Sequence, residues 1–245
     1  MNRVWSSFIV VLLMFTALPV FAQEGAQLVL MARDQARGAE AAQQIPGAMF
    51  VAGDVCKASD CERAVAKACS RFGGLDILVN AAGVFIRNRT VEQTSEAEWD
   101  HTLDTNLKGT FLMCKYALPA LRGRKGNIVN LASYVGLVGF ANSAAYAASK
   151  AGIVNLTRSM ALDHALEGIR VNCVCPGSVD TEMIHQAWEA YGDVAKARQV
   201  WAEKHPIGRI ATPQEIAQTI AFLASEAASF ITGAALSVDG GLTAG

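Results

Sequence analysis

The sequence predicts a single-domain α/β fold built on a doubly wound parallel sheet. From Gln27 to the C-terminus, short apolar runs alternate with longer amphipathic stretches. The apolar runs lack a period of two, which is typical of strands that are buried on both faces of a parallel sheet. The chain has 245 residues, of which 52% are hydrophobic and 18% charged. This composition excludes a disordered chain, and the length suits one domain with a large core.

The predicted strands and helices follow one another in order. The strands QLVLM, AMFVA and DILVN are separated by the helical stretches RGAEAAQQI and DCERAVAKACSRF. A long helical stretch over residues 96–121 leads to the strand NIVNL, and the helix AAYAASKAGIVNLTRSMALDHAL leads to the strand RVNCV. The helix PQEIAQTIAFLAS and the strand AALSVDGG close the chain. Ligands are expected in the crevice at the carboxyl ends of such parallel strands.

One stretch, residues 178–206, falls outside this alternation and carries Trp188, Tyr191 and Trp201. An insertion of this length before the last helix is typical of a lid over a binding site. The aromatic side chains either line a pocket for an apolar or ring-bearing substrate or pack against the body of the protein. The sequence leaves both alternatives open.

Residues 1–22 resemble a secretory signal peptide in their layout. Arg3 precedes an apolar run over residues 8–15, and Pro19 and the small residue Ala22 follow it. The run is too short to cross a bilayer, so no stable membrane span is predicted. We therefore divide the chain into a signal-peptide-like or foreign segment, residues 1–22, and a domain over residues 23–245.

The alternative for this apolar run is a buried element of the fold. A strand over residues 8–13 would fill the centre of the sheet, between the strands QLVLM and DILVN. Only residues 14–25, with Pro19 among them, would then remain for the crossover to the next strand. That is barely the length that such a connection needs.

Charge and cysteine patterns argue against a nucleic-acid-binding site and against a metal site. The chain carries 21 basic and 22 acidic residues without a basic cluster, which disfavours nucleic-acid binding. The six cysteines form no Cys-x-x-Cys pair and have no histidine at zinc-finger spacing, so no metal site is predicted. They lie in apolar stretches such as VNCVCPG, which is typical of buried free thiols.

Tyr146 and Lys150 lie four residues apart in an alanine-rich helix, so both side chains project from one face. Free tyrosine titrates at about pH 10, and a neighbouring ammonium lowers that pKa, which suits a general acid or base. The spacing alone is common on surface helices. However, Ser133 follows the strand NIVNL, and Asn80–Gly83 and Pro176–Gly177 follow two further strands at the same edge of the sheet.

In order and spacing, these residues resemble the motifs of the short-chain dehydrogenase/reductase family. The matching segments are Asn80-Ala81-Ala82-Gly83, Asn106 in TNLKGTF, Ser133 in NLASYVG, Tyr146 and Lys150 in YAASK, Pro176-Gly177 with Thr181, and ITGAALSVDGG. The family's spacing of thirteen residues from serine to tyrosine is kept, and the resemblance covers residues 21–245. It implies a Rossmann-like sheet and hydride transfer between a nicotinamide cofactor and a secondary alcohol or ketone.

The resemblance implies a role for each matching residue. Tyr146 donates and accepts the proton, while Lys150 lowers the tyrosine pKa and holds the nicotinamide ribose. Ser133 orients and polarises the substrate oxygen, and Asn106 supports a water that links Lys150 to solvent. The cofactor-binding residues so implied are Arg33, Asp54, Val55, Asn80, Ala81, Gly83, Tyr146, Lys150, Pro176, Gly177 and Thr181.

The resemblance also implies a small-molecule substrate, a homo-oligomer (tetramer or dimer) and a cytoplasmic location. Sugar, fatty acyl and steroid-like ketones all remain open as substrates. The end of the strand QLVLM indicates the cofactor, because enzymes that prefer NAD place an acidic residue there. Here Ala32 takes that position and Arg33 follows it, which favours NADP. Asp34 is adjacent, so a shift of one residue would favour NAD instead.

The chain departs from the family near its start. The family begins with a strand, a T-G-x-x-x-G-x-G loop and a helix whose N-terminus holds the pyrophosphate. No glycine precedes Gly25, so the first strand and the glycine loop are expected to be absent or replaced, and the cofactor affinity impaired. A misassigned start, a recombined gene and an exported protein that lost catalysis all fit this departure. The alternative function is a non-catalytic protein, exported or periplasmic, that cannot bind the cofactor.

Overall fold

The structure, a computed structural model, describes residues 8–11 and 18–245. Within them, helices cover both faces of one seven-stranded parallel sheet with the strand order β3-β2-β1-β4-β5-β6-β7. The predicted doubly wound α/β fold is therefore confirmed. The strands are β1 (Phe8–Val11), β2 (Leu28–Ala32), β3 (Met49–Ala52), β4 (Ile77–Asn80), β5 (Asn127–Leu131), β6 (Arg170–Pro176) and β7 (Ala235–Val238).

The helices occupy the connections between these strands. Their bounds are α1 (Leu18–Gln23), α2 (Gln35–Gln43), α3 (Ala58–Phe72), α4 (Glu96–Leu103), α5 (Gly109–Arg122), α6 (Ala144–His164), α7 (Glu182–Tyr191), α8 (Val194–Glu203) and α9 (Pro213–Ala224). A π-helical turn, Asp104–Lys108, joins α4 to α5, so the predicted stretch 96–121 is nearly continuous. Two helices form within the predicted lid, namely α7 and α8. Among the described residues no helix is both long and apolar enough to cross a membrane.

Strand β1 takes the central position in the sheet. It pairs in parallel with β2 on one side and with β4 on the other, with Phe8 opposite Leu28 and Ile77. The apolar run that the sequence allowed to be either a signal peptide or a buried element thus supplies the first strand of the sheet. Residues 1–7 and 12–17 lie outside the described residues. These residues include part of the signal-like segment and the position at which a glycine loop is expected.

Two apolar layers, one on each face of the sheet, form the core. One contains side chains of α3, α5 and α6, such as Leu121 and Met160. The other contains α9 and the start of the chain, where Phe21 of α1 is 3% exposed and joins the same buried cluster as Ile220 and Leu223. Phe21 anchors the segment after β1 to the body of the protein, because burying an aromatic side chain removes a large apolar area from water.

The cysteine prediction is largely confirmed. All six cysteines are free thiols, and Cys61, Cys114, Cys173 and Cys175 are buried. The other two, Cys56 and Cys69, are only half-buried. Burial raises the pKa of the Cys114 thiol to about 12, so this thiol is protonated at neutral pH.

Candidate active site

The carboxyl ends of four strands open into one cavity of about 870 Å³, which α7 covers from one side. The cavity volume is ample for a ligand larger than a single ring. Most of the residues predicted for the site line this cavity together: Arg33, Ala81, Gly83, Ser133, Tyr146, Lys150, Pro176, Gly177 and Thr181.

Four predicted residues are not among those that line the cavity. The Asp54 carboxylate accepts a hydrogen bond from the Cys56 backbone N–H at 3.0 Å, and Val55 packs close to Gly109. Asn80 donates to the Oδ1 of Asn130 at 2.9 Å, beneath the end of β4. In this structure these three side chains make contacts with neighbouring residues outside the cavity lining.

Asn106, the fourth, is fully buried in the π-helical turn between α4 and α5. Its amide oxygen accepts from the Val84 backbone N–H at 2.7 Å, and its Nδ2 donates to the Val84 carbonyl and to the Ser149 hydroxyl, each at 3.0 Å. Val84 lines the cavity, whereas Ser149 lies on α6 beside Lys150. Asn106 therefore clamps the loop after β4 against the helix that carries Tyr146.

Tyr146 and Lys150 lie on α6, as predicted, and Ser133 follows β5. Burial raises the pKa of the Tyr146 phenol above its ordinary value, while a hydrogen bond from Ser133 and the guanidinium of Arg87 act in the opposite direction. The sequence pointed to Lys150 as the group that lowers the tyrosine pKa. In the structure the lowering contributions come from Ser133 and Arg87.

Lys150 is 4% exposed, and its Nζ lies 5.6 Å from the centre of the Tyr146 ring. Burial lowers the pKa of this ammonium to about 8, so the protonated form prevails at neutral pH. The Nζ donates one hydrogen bond, to the Leu131 carbonyl at 2.8 Å. Its other ammonium hydrogens have no acceptor among residues 18–245 and are available to a ligand.

Phe85 and Arg87 are site residues that the sequence reasoning missed. The Phe85 ring stacks on the Tyr146 ring with centroids 4.1 Å apart, and the Arg87 guanidinium lies 4.1 Å above the Phe85 centroid. Their position in the sequence could have indicated them, because they follow Asn80–Gly83 on the loop after a strand that ends at the crevice.

At the far end of the cavity, β2 ends at Ala32 and Arg33 follows it. Asp34 is the N-cap of α2, and its carboxylate accepts a hydrogen bond from the Arg37 backbone N–H at 3.0 Å. The Arg37 guanidinium in turn pairs with Glu182 of α7 at 2.7 Å. Since a capping carboxylate stabilises the start of its own helix, Asp34 already has a structural partner.

The aromatic residues of the predicted lid pack against one another. Trp188 is buried with Ile184 and Ala197, and Tyr191 meets Trp201 edge to face with centroids 6.0 Å apart. None of the three aromatic side chains is among those that line the cavity. They pack with other residues of the lid and with Ile210, which follows it. The cavity takes its aromatic side chains from Phe85, Tyr134, Phe140 and Tyr146.

A nicotinamide dinucleotide fits the described part of the cavity in size and in donor chemistry. The cavity runs from Arg33 past Gly83 and Gly177 to Thr181, and the small or absent side chains at these glycines leave room for a ligand. The unbonded ammonium hydrogens of Lys150 suit ribose hydroxyls as acceptors. Within the described ranges no group of three metal-binding side chains occurs.

Comparison with known proteins places this geometry in context. Residues 17–243 match the family model described as enoyl-(acyl carrier protein) reductase. The chain is 46% identical to trans-4-hydroxycyclohexanecarboxylate dehydrogenase of Sinomonas cyclohexanicum over 198 residues, 81% of this chain and 72% of that protein. It is 41% identical to 2-(S)-hydroxypropyl-CoM dehydrogenase 3 of Xanthobacter autotrophicus over 227 residues, 91% of this chain and 89% of the relative. The solved structure of ElxO with NADP bound superposes on this chain with a TM-score of 0.91 at 27% identity. The match covers 98% of this chain and 100% of ElxO.

Proposed function

Because the chain belongs to the short-chain dehydrogenase/reductase family, we propose that it transfers a hydride between NADP(H) and a secondary alcohol or ketone. The observation that carries this proposal is the convergence of Ser133, Tyr146 and Lys150 on one cavity beside Gly83 and Thr181. The relatives support it, since both are named as dehydrogenases of compounds that bear a hydroxyl group. When bound, the cofactor would supply the hydride as NADPH in reduction, or accept it as NADP in oxidation.

The side chains of the cavity bind the substrate and transfer the proton. Ser133 and Tyr146 hold the substrate oxygen between their hydroxyls, and Tyr146 gives its proton to that oxygen in reduction or takes it in oxidation. The Lys150 ammonium would hold the ribose hydroxyls of the cofactor. A hydrogen bond from Ser133 and the charge of the Arg87 guanidinium favour the phenolate form of Tyr146. Asn106 positions this group indirectly, through its clamp on Val84 and Ser149.

Oxidation of simple secondary alcohols tests this function. The purified full chain is incubated with NADP and a panel that includes cyclohexanol and trans-4-hydroxycyclohexanecarboxylate, the alcohol named for the Sinomonas relative. We expect the absorbance of NADPH to increase over time when at least one of the cyclic alcohols is present. A folded chain that turns over no alcohol of the panel, and reduces none of the matching ketones, would refute the proposed function.

We propose NADP as the preferred cofactor, with NAD as the alternative. Arg33 is exposed at the end of the cavity where β2 stops, while the neighbouring Asp34 is engaged as a helix cap. A guanidinium binds a ribose 2′-phosphate by charge-assisted hydrogen bonds, whereas an acidic residue binds the 2′-hydroxyl.

Replacing Arg33 with alanine is expected to weaken NADPH binding about tenfold and to leave NADH binding unchanged, since only NADPH carries the 2′-phosphate. Titration of wild type and variant with both cofactors measures this effect. Arg71→Ala, on α3 and outside the cavity lining, is the control. Tighter binding of NADH than of NADPH by the wild type would instead favour NAD.

We also propose that the chain works as a homo-oligomer, either a dimer or a tetramer. Several large apolar side chains are exposed on the helices of one face, among them Phe111 on α5 and Leu162 on α6, which is 83% exposed. Exposed apolar residues on adjacent helices are a common feature of subunit interfaces. The small-molecule partner is the alcohol or ketone substrate.

A further inference from the structure

Arg87 lies half-buried in the wall of the cavity, on the loop that follows β4. Its Nη2 donates a hydrogen bond to the Met183 carbonyl of α7 at 3.0 Å, and its guanidinium lies over the Phe85 ring. No carboxylate among residues 18–245 forms an ion pair with it. A guanidinium has several further N–H donors, so most of its hydrogen-bonding capacity is left for a ligand.

The neighbouring Arg89, by comparison, is an exposed arginine that has a carboxylate partner. Arg89 lies two residues further along the same loop, is exposed, and pairs with Glu98 at 3.4 Å. A cation that is partly removed from water without a counter-ion is unfavourable, and burial indeed lowers the pKa of Arg87. An anionic group of a bound ligand would supply the missing counter-ion.

The position of Arg87 relative to Tyr146 sets the size of that ligand. The Tyr146 ring, the Phe85 ring and the Arg87 guanidinium form one column, and each step of the column is 4.1 Å. The lining of the cavity includes apolar and aromatic side chains, among them Val135 and Phe140. A ligand that reaches from the tyrosine hydroxyl to the guanidinium therefore has two polar ends, separated by an apolar part about the size of one ring.

We propose that Arg87 is a specificity-determining residue that binds a carboxylate of the substrate. The substrate class is then a hydroxy acid, or the matching oxo acid, whose reacting carbon is separated from the carboxylate by a ring or a chain of similar length. This assignment rests on the proposed function for the position of the reacting carbon. The binding of the carboxylate itself does not depend on turnover.

Calorimetric titration with two unreactive ligands, cyclohexanecarboxylate and cyclohexanecarboxamide, tests the proposal. The two ligands have nearly the same size and shape, but the carboxamide is neutral and has an NH2 group in place of one carboxylate oxygen. Both are titrated in the presence and absence of NADPH. We expect Arg87→Met to weaken carboxylate binding about 10- to 100-fold and to leave carboxamide binding unchanged. Arg87→Lys, which keeps the charge but not the fork of donors, is expected to recover part of the loss. The control Arg89→Met removes an arginine of the same loop without affecting either ligand.

Several outcomes would overturn the assignment. Equal losses for the two ligands would indicate that Arg87 only holds α7 in place through Met183. A loss of NADPH affinity in Arg87→Met would assign the guanidinium to the cofactor. Wild-type protein that binds neither ligand, or both equally, would also refute it. If cyclohexanol is oxidised while carboxylate binding shows no dependence on Arg87, this inference fails and the proposed function stands.

Discussion

Replacing Tyr146 with phenylalanine is expected to lower kcat about a thousandfold and to leave NADPH binding and thermal stability unchanged. The substitution removes only the hydroxyl, which is the proton donor and acceptor of the proposed reaction, and general acid–base catalysis contributes about this much to a rate. The phenylalanine ring still stacks on Phe85, so the wall of the cavity persists. Initial rates of ketone reduction, with the Kd for NADPH and the Tm measured in parallel, check this expectation.

Tyr191→Phe is the matched control for this experiment. Tyr191 is 47% exposed, packs against Trp201 and is not among the side chains that line the cavity. Its variant is expected to retain wild-type rates. If Tyr146→Phe keeps more than about a tenth of the wild-type kcat, another group transfers the proton, because loss of a general acid costs at least a hundredfold.

Removal of residues 1–22 is expected to abolish folding of the rest of the chain. Cleavage after Ala22, as for a signal peptide, would delete β1 from between β2 and β4 and remove Phe21 from the core. The edges of both strands would then be left unpaired in the middle of the sheet. Circular dichroism and thermal unfolding of the chain over residues 23–245 test this expectation. If that chain folds cooperatively and binds NADPH, a cleaved and exported form becomes the better interpretation.

A milder substitution tests the same point in the full chain. Phe21→Ala is expected to lower the free energy of unfolding by about 3–4 kcal/mol, since the side chain is 3% exposed and its loss leaves a cavity. Phe230→Ala, at a fully exposed position, is the control and is expected to change stability by less than about 0.5 kcal/mol. Similar stability of the two variants would contradict the placement of α1 in the core.

Much of the site is predictable from the sequence because its chemistry depends on local spacing. Tyr146 and Lys150 share a face of α6 by helix geometry alone, and Ser133 follows a strand whose apolar pattern is plain. Gly83 and Gly177 line the same cavity because each follows the carboxyl end of a parallel strand. The alternation of strands and helices fixes which edge of the sheet they share.

The features that the sequence left open depend on contacts between distant segments. An apolar run such as that before Phe15 has the same composition whether it is a signal peptide or a central strand, and pairing with β2 and β4 distinguishes the two. The column of Phe85 and Arg87 on Tyr146 joins the loop after β4 to helix α6, two segments that are far apart in the chain. Likewise, Trp188 is buried by Ala197 of α8 and by Ile210, which follows the lid, and the sequence pattern does not indicate either contact.

The measurement that most directly tests the binding of a nicotinamide cofactor beside Tyr146 is a fluorescence titration of the full chain with NADPH. We predict saturable binding at one site per chain that NADP displaces. Because no glycine lies between β1 and α1 to hold the pyrophosphate, we expect an affinity about 100-fold below that of a family member with the glycine loop, a loss equivalent to one or two charge-assisted hydrogen bonds. A folded chain without saturable binding would contradict the proposed oxidoreductase and support the non-catalytic alternative.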